Sequence, residues 1–170
     1  MFRSIQNFFS PLVYLQIWSQ RIRLVNINTG VVYEDIPWLA VATDAKGKKS
    51  VVGFGKEALA ARSRPNVELL NPFDHPRMIL ADFEIAEKTL SLMLPKVLSG
   101  NWLKRSPRLL IQPMEKLEGG LAGVERVMLV QMALGAGANQ VITYTGPDLD
   151  PAAIDWAAMA KNMTTVQKQR

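Results

Sequence analysis

The run Leu12-Val13-Tyr14-Leu15-Gln16-Ile17-Trp18-Ser19-Gln20-Arg21-Ile22-Arg23-Leu24-Val25-Asn26-Ile27-Asn28-Thr29 decides how this chain is read. Branched and aromatic residues dominate Leu12–Trp18 and again Arg21–Ile27, which predicts two strands joined by a short polar turn. Asn28-Thr29-Gly30 supplies a second tight turn, and Val31–Tyr33 reads as a third strand. The chain therefore opens on an antiparallel three-strand meander. Its first turn, around Trp18-Ser19-Gln20, contains no glycine.

Further on, Trp38–Thr43 and Ser50–Phe54 predict another strand pair, whose tip holds Lys46-Gly47-Lys48-Lys49 and reads as a solvated turn. Gly55–Arg62 predicts a short helix ended by Arg64-Pro65-Asn66. Asp82 is placed to cap a helix running to about Leu98, with Phe83, Ala86, Leu90, Met93 and Val97 as its buried stripe. Pro95 should loosen the last turn of that helix. The apolar run Leu109–Ile111 after Pro107 predicts a central strand covered on both faces. A helix over Leu121–Leu134 ends at Gly135-Ala136-Gly137-Ala138, Val141–Tyr144 forms a strand, and Asp150-Pro151 starts an Ala-rich helix. The expected class is α/β with a mixed sheet. The expected organisation is an amphipathic segment at 1–11, one module at 12–160 with an inserted lobe at about 38–103, and a polar tail without regular structure at 161–170.

With 170 residues, 48% of them hydrophobic, the chain can bury a sizeable core. It has no cysteine and one histidine, which excludes disulfides, thiolate metal sites and most histidine metal sites, and points to a reducing, cytoplasmic setting. The net charge of +5 permits an anionic partner, but the basic residues are scattered without interleaved aromatics, which disfavours nucleic acid. No apolar run reaches the ~18 residues needed to span a bilayer. Phe2, Ile5, Phe8 and Phe9 lie on an amphipathic pattern within Met1–Pro11. That segment either rests on a membrane surface, giving peripheral attachment, or packs on the domain.

Isolated chemical signals are weak. His75 sits in the Pro-bounded turn Asp74-His75-Pro76-Arg77 and lacks the nucleophile and third group of a triad. Asp148 and Asp150 are only two carboxylates, and helix capping accounts for Asp150. Gly119-Gly120 lacks the lysine and hydroxyl residue of a P-loop and reads as the start of a helix. No metal or cofactor is expected. Trp18, Trp156 and Met159 are candidates for an apolar contact surface.

The order of these elements resembles the first half of an actin-like protein, and the words resemble the bacterial MreB family. They are Val52-Gly53-Phe54-Gly55-Lys56-Glu57-Ala58, Ile79-Leu80-Ala81-Asp82-Phe83, Arg105-Ser106-Pro107-Arg108-Leu109-Leu110-Ile111, Val124-Glu125-Arg126 and Gly135-Ala136-Gly137-Ala138. The resemblance implies a ribonuclease-H-like actin-type fold, subdomains IA and IB, and an amino-terminal membrane anchor at the position of Phe2 to Phe9. It also implies that Leu15–Arg21 stands where the family binds phosphate. There Gln16 replaces the acidic residue, Trp18 replaces the glycine and Ser19 remains, so the loop is degenerate. Glu125 matches the glutamate that positions water in the family, and is a relic without the second phosphate loop, which this sequence does not contain. The expected function is non-catalytic: an MreB-like protein of cell-shape or cytoskeletal organisation, acting through contact with full-length MreB-like filaments or a membrane cell-shape complex. Half of a split actin-like ATPase and a self-associating, homodimeric structural domain are the alternatives.

Overall fold

Six strands form the main sheet in the computed structural model, which describes residues 10–98, 106–162 and 165–167. Strands β1 (Leu12–Ile17), β2 (Ile22–Asn26) and β3 (Val32–Asp35) make the expected antiparallel meander. β7 (Arg108–Pro113) then lies parallel to β1, and β8 (Gln140–Thr143) parallel to β7. A short β9 (Thr165–Gln167) closes the other edge antiparallel to β8, giving the order β3-β2-β1-β7-β8-β9. All six residues of β1 are buried, because its neighbours β2 and β7 make it a central strand with both faces covered.

The two faces of β1 divide the core. Val13, Leu15 and Ile17 point to the larger cluster, with Leu109, Ile111, Val141 and two helices, α2 (Phe83–Met93) and α3 (Gly123–Gly135). Tyr14 points the other way, with Val25, Leu110 and Ile142, and is covered by α4 (Trp156–Asn162) and the loop before it. The result is helix, sheet and helix in three layers. Asp82 caps α2 by accepting from the Ile85 amide at 3.0 Å, and the helix gives way to a 3-10 turn at Leu94–Lys96, where Pro95 lies.

A second sheet is antiparallel throughout, with β4 (Leu39–Thr43) between β5 (Lys49–Phe54) and β6 (Val67–Leu70), and α1 (Lys56–Ala60) packed on Ala40. Its last strand ends at Leu70, and the apolar stripe of α2, inside the stretch expected as an insertion at about 38–103, packs on the main sheet with α3. β6 was not expected, because Val67-Glu68-Leu69-Leu70 shows no strong alternation and gains its register from β4.

Two further differences concern the end of the chain. The Ala-rich region makes a single 3-10 turn at Pro151–Ala153 and restarts as α4, where Asp155 accepts from the Ala157 amide at 2.8 Å. Part of the expected polar tail is β9, which satisfies backbone groups that β8 would otherwise leave open. The amphipathic segment with Phe2, Ile5, Phe8 and Phe9 lies outside the described residues. Among the described residues no helix is long and apolar enough to cross a membrane.

Candidate functional site

The carboxyl ends of β1 and β7 carry a row of polar side chains across the sheet. Strand register places Arg23 of β2, Gln16 of β1 and Gln112 of β7 side by side. Gln16 is only 1% exposed, so its amide needs partners within the protein. Its Oε1 accepts from the Arg23 guanidinium at 2.9 Å, while its Nε2 donates to Asp148 Oδ1 at 2.7 Å. Asp148 comes from the loop after β8 and also accepts from the Tyr14 hydroxyl at 3.3 Å. Tyr14 donates in addition to Gln112 Oε1, and Gln112 Nε2 donates to the Gly146 carbonyl at 2.9 Å. Desolvation and the Asp148 carboxylate push the Tyr14 phenol up to about 12. Glutamine suits position 16 because its amide accepts from a cation on one side and donates to a carboxylate on the other.

The turn beyond β1 is closed on itself. The Trp18 amide donates to the Arg21 carbonyl at 2.8 Å, and the Arg21 guanidinium stacks 3.6 Å from the centre of the Trp18 ring. No residue from Trp18 to Arg21 has a positive φ, so the turn needs no glycine. The Ser19 amide and hydroxyl both donate to Glu115 Oε2, at 2.8 and 2.6 Å. These two bonds hold the Glu115 carboxyl below its usual range. Asn71 Nδ2 donates to the Ser19 carbonyl at 2.8 Å, and Trp38 Nε1 to Gln20 Oε1 at 3.1 Å. A backbone N–H and a hydroxyl converging on one carboxylate oxygen form an anion-binding arrangement, and the anion they hold is this chain's own side chain.

Glu125 is likewise engaged. Its Oε2 accepts from the Ala122 amide at 3.0 Å, and its Oε1 from the Ile79 amide at 3.3 Å. The residue thereby caps the start of α3 and ties it to the segment before α2. The imidazole of His75 caps its turn in the same way, with Nδ1 accepting from the amides of Arg77 and Met78 at 3.1 and 3.0 Å. Asp150 accepts from the Ala152 amide at 2.9 Å. Among the described residues no group of three His, Asp or Glu could hold a metal ion.

The contact candidates are placed differently from one another. Trp156 and Met159 are half-buried against Tyr14, Val25, Leu110 and Ile142, and Arg108 lies 5.3 Å from the centre of the Trp156 ring. Trp18 is half-buried beneath Arg21. Among the described residues, the large apolar side chains most open to solvent are Val124 and Val127, on the outer face of α3, at 66% and 58%. Sequence reasoning missed Glu115 and Asn71 as partners of Ser19. They reach it from 96 and 52 positions away, and nothing local marks either one.

No family model matches the chain. It is 28% identical over 150 residues to the cell shape-determining protein MreB of Haemophilus influenzae, covering 86% of this chain and 41% of that protein. MreB of Escherichia coli K12 is 26% identical over 150 residues, covering 86% and 42%. The chain thus spans about two fifths of the length of the curated relatives it matches. Among solved structures, MreB5 of Spiroplasma citri bound to ADP superposes with a TM-score of 0.61 at 20% identity, covering 81% of this chain and 38% of the other. A non-polymerising MamK mutant bound to AMPPNP gives 0.60 at 13% identity, covering 79% and 41%. The fold is actin-like, and the chain is MreB-like over a stretch matching the first part of MreB.

Proposed function

We propose that this protein is a non-catalytic, MreB-like component of cell-shape or cytoskeletal organisation that acts through protein contacts and has lost nucleotide binding. The observation that carries the reading is the contact of Glu115 with Ser19. Two of the turn's donors are held by an internal carboxylate, so a phosphate would have to displace a charge-assisted pair of bonds and then meet the repulsion of that same carboxylate. Gln16 adds to the argument. It brings no charge to a position where the family places an acidic residue linked to metal, and both ends of its amide are engaged by Arg23 and Asp148. Glu125 supports the same view, since its two oxygens cap backbone amides.

Contact with an MreB filament follows from the resemblance. A chain with the fold of one part of MreB carries the corresponding surfaces, and can join or end a filament without turning over nucleotide. The test pairs calorimetry against ATP and Mg²⁺ with co-sedimentation against polymerised full-length MreB. The expected result is no heat of nucleotide binding and recovery of the protein in the filament pellet. Micromolar ATP affinity would overturn the first half of the proposal, and absence from the pellet the second.

A further inference from the structure

The far end of the inserted lobe is built from two loops. One is the β4–β5 tip from Asp44 to Lys48, and the other is the 61–66 connection into β6. They are brought together by the Thr43 amide, which donates to the Asn66 carbonyl at 2.9 Å. Lys46, Lys48 and Lys49 come from the first loop and its margin, Arg62 and Arg64 from the second. Every residue from 44 to 50 and from 62 to 66 is exposed.

Among the described residues, none of these five cations is in an ion pair. Asp44 Oδ1 accepts from the Lys46 and Lys48 amides at 2.8 and 2.9 Å, so it serves the turn. Glu68, opposite Val41 in β6, makes no ion pair among the described residues. The described ion pairs join Arg21 and Arg23 to Glu34, on the main sheet. Both loops are turns shaped by the backbone, with Gly47 at φ 80° and Asn66 at φ 63°.

We infer that this tip is a docking surface for an acidic polypeptide segment. The choice of partner follows from what accompanies the charge. Neither loop contains an aromatic residue on which a base could stack, which disfavours single-stranded nucleic acid. Neither contains a large apolar side chain that could enter a bilayer, so a lipid surface would be held by charge alone. Leu59, 46% exposed on α1 and three positions before Arg62, supplies an apolar contact beside the cations, as a protein interface requires. Opposed charge then sets the rate of encounter and the choice of partner. The inference names a partner chemistry for the interaction role proposed above and rests on that role.

The test uses the full chain, a fluorescein-labelled polyglutamate peptide, phosphatidylglycerol vesicles and a single-stranded DNA oligonucleotide. One variant combines Lys46→Glu, Lys48→Glu, Arg62→Glu and Arg64→Glu. A second, matched in net charge, combines Lys56→Glu, Arg77→Glu, Lys88→Glu and Lys161→Glu, and circular dichroism checks the folding of both. The expected result is peptide binding that weakens with salt, a loss of about tenfold or more in the tip variant, and a change of less than about threefold in the matched one. If the tip variant fails to fold, the milder pair Lys48→Gln and Arg64→Gln should still weaken binding by about threefold. Equal losses in both variants, no loss at the tip, or tighter binding to vesicles or DNA than to the peptide would overturn the assignment. Co-sedimentation with MreB in the absence of peptide binding would remove this inference and leave the interaction role standing.

Discussion

Ser19 and Glu115 lie on different loops, and the serine places its amide and its hydroxyl on the same oxygen of the glutamate, at 2.8 and 2.6 Å. Replacing Glu115 by alanine leaves both donors of a part-buried turn without their partner, which should cost about 1–2 kcal/mol of stability. Urea unfolding measures this. The contact also sets a pH dependence. The Glu115 carboxyl is held below its usual range, so its contribution is present above the ordinary glutamate range and is lost as pH falls through the lowered value. The Ser19 amide resonance, followed by NMR from neutral to acid pH, should move with that titration in the native protein and not in Glu115→Gln.

Placing an acidic residue at position 16 should harm the protein. In Gln16→Asp a carboxylate replaces a group that donates to Asp148, in a position 1% exposed to solvent. Two carboxylates then face each other, and one is driven to take up a proton. The expected outcome is a loss of about 2 kcal/mol or more at neutral pH that shrinks as pH is lowered. ATP binding is not expected in this variant, since Glu115 still holds Ser19. Thermal melts at several pH values, with calorimetry at neutral pH, check both statements.

Gly55 shows how a short family word follows from backbone geometry. Its φ of 63° and ψ of −144° suit glycine, and a Cβ there would run into the Asp35 carboxylate. That carboxylate accepts from the amides of Ile36 and Lys56 at 2.8 and 3.0 Å, so it cannot move aside without releasing them. Gly55→Ala should therefore destabilise by about 2 kcal/mol, with the loss centred on the lobe. Hydrogen exchange should show it first in β4 and β5.

What the sequence made legible was what is decided within a few residues. The meander, the central strand around Leu110 and the stripe of α2 follow from periodicity, and the Asp82 and Asp150 caps from residue type. The remainder depends on distant partners. β6 takes its register from β4, β9 forms because β8 would otherwise be an open edge, and Glu115 meets Ser19 only once β1 and β7 are paired. At the candidate site the residue types at Gln16 and Trp18 could be read from the chain, but Asp148 and Glu115, which complete the hydrogen bonds there, could not. Trp156 illustrates the same limit, since composition marks it as a residue that shields a surface or anchors a partner, and its packing against the Tyr14 cluster becomes visible only in the fold.

The role of Trp156 is separable by mutation. Its ring packs on the Tyr14 side of the sheet and beneath the Arg108 guanidinium, which desolvation alone already lowers from its usual pKa. Trp156→Ala should remove about 2–4 kcal/mol, the cost of opening a cavity in a partly buried aromatic site. Sedimentation velocity should show the same association state as the native protein. A variant with full stability and altered association would place Trp156 at an interface between molecules instead.

Tyr14 gives the last prediction, at the alkaline end. Its phenol is pushed up to about 12 from 10.0, so the folded protein keeps this proton where the unfolded chain has lost it. The stability it contributes is complete below pH 10, falls as pH rises from 10 towards 12, and is gone above the folded value. Absorbance at the tyrosinate band, titrated in the native state, should contain a late component near 12 that Tyr14→Phe removes. In Tyr14→Phe the decline in stability over that interval should flatten, while Asp148 keeps its bond from Gln16 at 2.7 Å and the turn at Ser19 is unchanged. A native titration in which Tyr14 ionises at 10, with the phenylalanine variant indistinguishable, would mean that the Tyr14–Gln112–Asp148 cluster does not hold together in solution.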